Sequence, residues 1–531
     1  MLNDLRMFAR YAWGLNSYLR HTLTPEECRQ MLVHKLEARE ESFLRILERG
    51  IYANPGSPYR KLLLHAGIEF ADVVELVRRY GVEGALVELY DAGVYVTLNE
   101  FKGRRSIERP GLQIEVRPQD FDNPFLVKHY EARTGGSRGV GTRVIIDFDL
   151  LTHEAAYFHY ILAAFDLVET PIGAWHEVPP VAAGMKLILR YARLGKSVER
   201  WFAQSKLSLS PSNLKFATFT NYTLYAGRIL GRQLPVPEYV PLEEASKVAG
   251  WLSIKKENRK PATLDTNPSS AVRVCLAAKE NDLDISGSLF RLGGEPYTPA
   301  KAQVLADTGC RAVCHYSVSE IGTVGTACTA PPELDDVHLL SDKVAVIQRP
   351  KSVGAGGLTV EALVYTTVLP SCPKLMFNVE SDDYGVLEDR TCGCPFGELG
   401  FTQHLSRIRS YEKLTSDGVT FLGTELLRLV EEVLPARFGG YPTDYQLLEE
   451  EDGGLPRVNV VVSPRVGNID EKEVVAAAFQ VLHQYPGGEI MSDKWRQGQT
   501  LRVLRREPYS TGSAKILPLH ILKKDDLPSG R

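Results

Sequence analysis

Between positions 134 and 142 the chain reads Thr134-Gly135-Gly136-Ser137-Arg138-Gly139-Val140-Gly141-Thr142, flanked by Arg133 and Arg143. Immediately after Arg143, the segment Val144-Ile145-Ile146-Asp147-Phe148 is β-branched and apolar, so it reads as a strand entered directly from a glycine-rich loop. Such a loop can turn its backbone N–H groups inward around a polyphosphate, because Gly accepts φ > 0 and lets a ligand approach closely. The same composition suits a plain Gly-rich hairpin. The spacing is not that of a Walker loop, which ends in Gly-Lys-Ser/Thr, nor of a dinucleotide fingerprint. The rest of the chain has to decide between cradle and hairpin.

At 531 residues the chain exceeds what one hydrophobic core fills, which predicts roughly two to four domains. A hydrophobic share of 44% with 24% charged residues is that of an ordinary soluble protein. Its net charge of −4 argues against nucleic acid as the main partner, since phosphate neutralisation needs a basic surface. Charges are scattered through Met1–Ala12, so no signal peptide is read there. No run of eighteen apolar residues occurs, and no membrane partner is expected. Eight Cys in so long a chain point to intracellular thiols or metal ligands rather than to a disulfide framework. The expected location is therefore the cytoplasm, as a monomer or a homodimer.

Residues 1 to about 100 carry Leu32, Leu36, Phe43, Leu44, Ile46 and Leu47 near helical spacing, with a break at Asn54–Tyr59 and a restart over Tyr59–Leu64. From 87 to 150 the pattern shifts to short β-type runs, Gly93–Leu98 and Leu112–Val116. Helical patterns and short apolar strands alternate from 150 to 350, which favours an α/β fold. Beyond about residue 410 come strands at Gly418–Leu422, Arg457–Val462 and Leu501–Leu504, with helices over Thr424–Leu434 and roughly 471–483. That portion, βαβαβ-like, has the size of a small independent α/β domain.

Three further segments bear on the glycine-rich loop: Gly293-Gly294-Glu295-Pro296 leading to His315-Tyr316-Ser317-Val318-Ser319-Glu320, then Glu380-Ser381-Asp382-Asp383-Tyr384-Gly385 leading to Arg409, and Pro508–Ile516 with Lys515. In this order and at these intervals they resemble the adenylate-forming superfamily of acyl-CoA synthetases, most of all its phenylacetate-CoA ligase-like branch. The resemblance runs from Asn54 to about residue 520. It implies a large N-terminal adenylate-forming domain of layered sheets and helices, 1–408, which binds ATP and the acid. A small mobile α/β C-terminal domain, 409–531, would carry the lysine. It further implies that Thr134, Gly135, Gly136, Ser137, Arg138, Gly139 and Thr142 cradle phosphate, and that Gly294, Glu295 and Pro296 line the adenine pocket. Tyr316 would flank the adenine, Ser319 touch phosphate and Glu320 hold Mg²⁺. Asp383 would accept from the ribose hydroxyls, Arg409 lie at the hinge and Lys515 assist adenylation. Arg407 lies two positions away and offers the same charge as Arg409.

The chemistry suits these residue types. A carboxylate that attacks the α-phosphate of ATP meets a repelling polyphosphate, so catalysis is largely positioning and charge neutralisation. Mg²⁺ needs a hard oxygen ligand, and an ammonium on a flexible stem can follow developing charge. Read singly, Glu320 caps a turn, Asp383 opens one and Lys515 is a solvated charge; the register of the segments favours the functional roles. The implied reaction forms an acyl-adenylate from an aromatic or otherwise hydrophobic acid, releases pyrophosphate and transfers the acyl group to coenzyme A. A protein acceptor, as in the acyl-protein synthetases, is the alternative. A nucleotide-binding relative without turnover is a third reading, favoured by two departures: Val140 stands where the family has Lys, and Ser317 replaces Gly. Arg138 or Arg143 could supply the missing charge.

Cys392-Gly393-Cys394 alone is a weak metal signal. Some members of the phenylacetate-CoA ligase branch carry a Cys and a His after the Tyr–Glu segment and a Cys-x-Cys after the ribose-binding Asp. By that likeness Cys328, His338, Cys392 and Cys394 form a closed tetrahedral zinc site, with three ordinary thiols and a surface His as the plain alternative. Cys28, Cys275, Cys310 and Cys314 read as small core residues. The aromatic stretches Trp175-His176 and Phe216–Tyr225 read as core or as acyl-pocket lining.

Overall fold

The structure, a computed structural model, describes residues 2–127, 129–133, 143–207, 214–353, 358–410, 415–416, 419–420, 427–452, 455–484, 501–510, 516 and 519–521. The glycine-rich run and Lys515 lie outside the described residues. The first hundred residues form the helices Leu2–Arg20, Pro25–Glu37, Arg39–Ile46, Pro58–His65 and Phe70–Asp91. Thr24, Pro25 and Glu27 start the second of them: the Thr24 hydroxyl accepts from the Glu27 amide while the Glu27 carboxylate accepts from the Thr24 amide. The β-type run expected at Gly93–Leu98 is reduced to an isolated bridge between Val96 and Val379. Thr97 is the reason. Its side chain and that of Glu100 form a capping box that begins the short helix Leu98–Phe101 and stops the extended chain.

One sheet of twelve strands organises most of the molecule, in the order Val344–Val353, Leu358–Thr367, Val379–Asp389, Gln403–Ser410, Val337–Leu339, Gly322–Ala327, Arg311–Val318, Leu289–Leu292, Thr263–Thr266, Ile172–His176, Arg200–Ala203 and Pro237–Tyr239. Its first half is antiparallel and its second parallel. The two halves meet at Arg311–Val318, which pairs antiparallel with Gly322–Ala327 and parallel with Leu289–Leu292. Three central parallel strands are wholly buried (Ile172–His176, Thr263–Thr266 and Leu289–Leu292), as expected where helices cover both faces. Trp175 of the aromatic stretch is fully buried, whereas helix Leu214–Ile229 buries Phe216 and exposes Tyr225.

A second sheet of four strands, ordered Leu501–Arg505, Leu455–Val462, Tyr445–Asp452 and Leu519–Ile521, has its own core around Leu434, Val460 and Phe479. Helix Glu471–His483 connects the parallel pair Leu455–Val462 and Leu501–Arg505, and an antiparallel hairpin takes the place of a further βα unit. Arg409 and Ser410 still pair within the large sheet. The fold is α/β. Among the described residues no helix is long and apolar enough to cross a membrane.

Candidate active site

Ligand sites of parallel sheets lie beyond the carboxyl ends of their strands, where the topology switches. Gly293 leaves the end of Leu289–Leu292, and Tyr316 to Glu320 leave the end of Arg311–Val318, where parallel pairing gives way to antiparallel. Only Gly fits at 293: a Cβ there would lie 2.3 Å from His315 Nε2. Gly294 follows with φ +84, a left-handed conformation that also favours Gly. Glu295 then turns back to the N-terminus of helix Pro268–Glu280, where its Oε2 accepts from the Ser269 amide at 3.0 Å and from the Ser269 hydroxyl at 2.5 Å. The Pro296 carbonyl accepts from Lys301 Nζ at 3.1 Å.

Pairing slips by one residue between Tyr316 and Ser317, a bulge of the kind that re-aims a side chain. The Tyr316 hydroxyl lies 2.7 Å from that of Tyr365 and donates to Asp383 Oδ2 at 2.6 Å. Burial first, then the Asp383 carboxylate, push the Tyr316 phenol well above its usual range, so it stays a donor. Tyr384, next to Asp383, faces Arg409 across the strand pair, and Arg409 Nη1 donates to Asp335 Oδ2 at 2.7 Å. Arg407 does not share that place, because it is exposed and paired with Glu333. Ser319 lies in the turn between Tyr316 and Glu320.

Glu320 is 6% exposed, and its carboxylate accepts from Lys102 Nζ. Its backbone carbonyl accepts from the Lys374 amide at 3.0 Å. Lys374 Nζ in turn reaches Asp122 Oδ1 at 2.5 Å, and Asp122 Oδ2 accepts from Arg143 Nη2 at 2.7 Å. Arg143 Nη1 is buried and has no hydrogen-bond partner among the described residues. Arg143 opens the strand Arg143–Ile146, which pairs with Tyr130–Arg133, so the glycine-rich run joins the two strands of a hairpin.

The four sequence-predicted zinc ligands also come together. His338 Nε2 lies 2.9 Å from Cys394 Sγ and 3.6 Å from Cys392 Sγ. The ligand atoms of Cys328, His338, Cys392 and His404 all lie within 4.8 Å of one another. Hydrogen bonding with Cys328 holds the Cys394 thiol below its usual range and raises Cys328 in return. His338 Nδ1 faces the Phe401 carbonyl at 2.8 Å, which fixes Nδ1 as the donor and turns the Nε2 lone pair toward the sulfurs. Three sulfurs and one imidazole nitrogen in an enclosed site are a donor set that Zn²⁺ accepts.

No protein-family model and no curated protein matches the chain. Solved structures do. A 2-hydroxyisobutyryl-CoA ligase in the postadenylation state, in complex with R3-HIB-AMP, is similar over 95% of this chain and 92% of its own, with a TM-score of 0.54 at 12% identity. The 2-hydroxyisobutyryl-CoA ligase in complex with 2-HIB-AMP covers the same shares, 95% and 92%, with a TM-score of 0.50 at 13% identity. The chain shares the fold of these two structures.

Within the ligase fold, two residues that sequence reasoning missed join the expected ones. Lys102 reaches Glu320 from 218 positions away, and His404 faces His338 across a strand pair with the rings 4.1 Å apart. Neither carries a local motif, so spacing along the chain gave no signal for them. Behind Glu320 a buried ion cluster braces the strands: Glu154 accepts from Lys343 Nζ at 3.1 Å and from the Thr323 amide at 2.8 Å. Burial opposes ionisation of Glu154, but Lys343, Lys186 and Arg190 outweigh it and hold the carboxyl well below its usual range.

Proposed function

We propose that the chain is an ATP-dependent ligase that activates a carboxylic acid, aromatic or otherwise hydrophobic, and passes it to coenzyme A. The observation that carries this reading is the hydrogen bond from Tyr316 to Asp383: two motifs 67 positions apart meet on the strand where the sheet switches topology, and the first of them runs on to Glu320. The two similar ligase structures, with R3-HIB-AMP and 2-HIB-AMP in a postadenylation state, support the acyl-adenylate chemistry. An acid oxygen attacks the α-phosphorus, the bond to the β-phosphate oxygen breaks and pyrophosphate leaves. The thiol sulfur then attacks the acyl carbon, releasing AMP and a proton. Asp383 holds the ribose, Tyr316 flanks the adenine beside Gly294, Glu295 and Pro296, and Ser319 with the 134–142 run takes the phosphates. Mg²⁺ on Glu320 would neutralise the polyphosphate.

In this reading residues 1–408 are the adenylation domain and 409–531 the small C-terminal domain, with the first residues of the latter, Arg409 and Ser410, still paired to the large sheet. In this reading the small domain is mobile and brings Lys515 to the reacting phosphate, with Arg409 at the hinge. The enzyme is cytoplasmic, and Cys328, His338, Cys392 and Cys394 hold a structural zinc. Pyrophosphate release over a panel of aryl, arylacetic and fatty acids tests the reaction. It should require ATP, Mg²⁺ and one class of acid, and Lys515→Ala should lower it by about 10²-fold or more without altering the unfolding midpoint. Release that ignores the acid, or survives Lys515→Ala unchanged, overturns the respective assignment. Thioester formation with and without coenzyme A separates it from a protein acceptor.

A further inference from the structure

We propose that Lys102 is the polyphosphate-binding cation of this site, in place of the lysine that Val140 displaces from the glycine-rich loop. The inference rests on the adenylation reading and extends it to a residue outside every motif. Lys102 ends the short helix Leu98–Phe101 and sends its ammonium onto Glu320, the carboxylate assigned to Mg²⁺. The two side chains differ in access: Lys102 is 22% exposed and Glu320 8%. The cation therefore lies on the open side of the pair, where a ligand arrives.

The surrounding charges favour an anion. Among the described residues, Lys102, Lys374, Arg143 and Lys215 form ion pairs with Glu320, Asp122 and Glu131, an excess of one positive charge. Arg143 Nη1 is buried and has no partner among those residues. Arg143 also opens the strand that follows the glycine-rich run in the chain, so this charged set includes the residue next to that run. With Glu320 on a magnesium ion, the Lys102 ammonium would meet an oxygen of the β- or γ-phosphate in place of the carboxylate. AMP lacks those phosphates, so the contact distinguishes ATP from AMP.

The experiment is calorimetric titration of the full-length chain with ATP and with AMP, each with Mg²⁺. Lys102→Gln should weaken ATP binding by about ten- to a hundredfold, the loss of one charge-assisted contact, and leave AMP within about twofold. Lys102→Arg should keep most of the preference for ATP. A neutral residue at 102 strands the Glu320 carboxylate, so the comparison is repeated in the Glu320→Gln background, where no buried charge is left unpaired. There, adding Lys102→Gln should again weaken ATP and spare AMP. Equal weakening of both nucleotides, or of neither, overturns the role of Lys102. An unmodified chain that binds neither nucleotide overturns the adenylation reading itself, which a failure confined to Lys102 would leave standing.

Discussion

Asp147 shows how one side chain sets a pH dependence in this molecule. It caps helix Phe148–Ala164 by accepting from the Leu150 amide at 3.0 Å, and it is 2% exposed. Burial pushes its carboxyl up to about 6, against an unfolded value of about 3.9. A carboxyl raised on folding binds its proton more tightly in the native state. Its contribution to stability is therefore fully present below pH ~4 and is lost as the pH climbs to about 6, by ~3 kcal/mol at 1.36 kcal/mol per unit. Asp147→Asn keeps a capping oxygen and removes the charge. Thermal unfolding of the pair across pH 4 to 8 should show the variant gaining on its parent up to about pH 6 and level beyond. A difference that does not change with pH would remove the buried charge as its cause.

At the scale of elements, the Cys/His cluster ties together segments that the sheet alone leaves to strand pairing. Cys328 ends one strand, His338 lies in the next, Cys392 and Cys394 follow Val379–Asp389, and His404 lies in Gln403–Ser410. Cys328, His338, Cys392 and His404 form the tight group, and Cys394 lies against His338, so five candidate donors compete for the four places of a tetrahedral zinc. His404 Nδ1 lies 2.7 Å from Arg390 Nη2 and 3.2 Å from Asp336 Oδ2. Because a guanidinium can only donate, the closer contact makes Nδ1 an acceptor and leaves Nε2 protonated, unable to ligate. Purified protein should then carry about one zinc per chain. Cys394→Ser should lose it, and His404→Ala should retain it. Less than about 0.2 equivalents in protein never exposed to chelator would end the zinc assignment. The same region shows what a sequence reveals. Tyr316 to Glu320 and the Cys392–Cys394 pair could be found because each signal is local, a few residues wide. Helix Glu471–His483 was legible from its period. Lys102 and His404 were not, because their partners are set by sheet register and by a helix end, and register is decided by pairing across the whole fold. Gly93–Leu98 misled for the opposite reason: an apolar alternation lost to the capping box at Thr97.

The twelve-stranded and the four-stranded sheet have separate cores, and a buried contact joins them beside the proposed nucleotide site. Glu431, 4% exposed and packed with the small sheet's core, accepts from the Thr298 hydroxyl and from Lys301 Nζ at 2.9 Å. Lys301 is 2% exposed and also donates to the Pro296 carbonyl, so one ammonium links the Gly293–Pro296 segment to the C-terminal portion. Breaking such a pair from one side leaves a buried charge, at a cost of about 3–5 kcal/mol, whereas replacing both partners by apolar residues of similar volume can be nearly neutral. Glu431→Ala should therefore lower the unfolding midpoint and quicken hydrogen exchange in Pro299–Ala306 and Leu434–Phe438. Lys301→Met with Glu431→Leu should recover much of the midpoint. The single and double variants differ in a second way, because both lose the link but only the first strands a charge next to Pro296. If the link itself positions the Gly293–Pro296 segment, AMP affinity should fall in both variants; if only the stranded charge matters, affinity should return in the double variant together with the midpoint. The first outcome would couple the placement of the small domain to nucleotide binding through Lys301, and the second would limit the pair to stability.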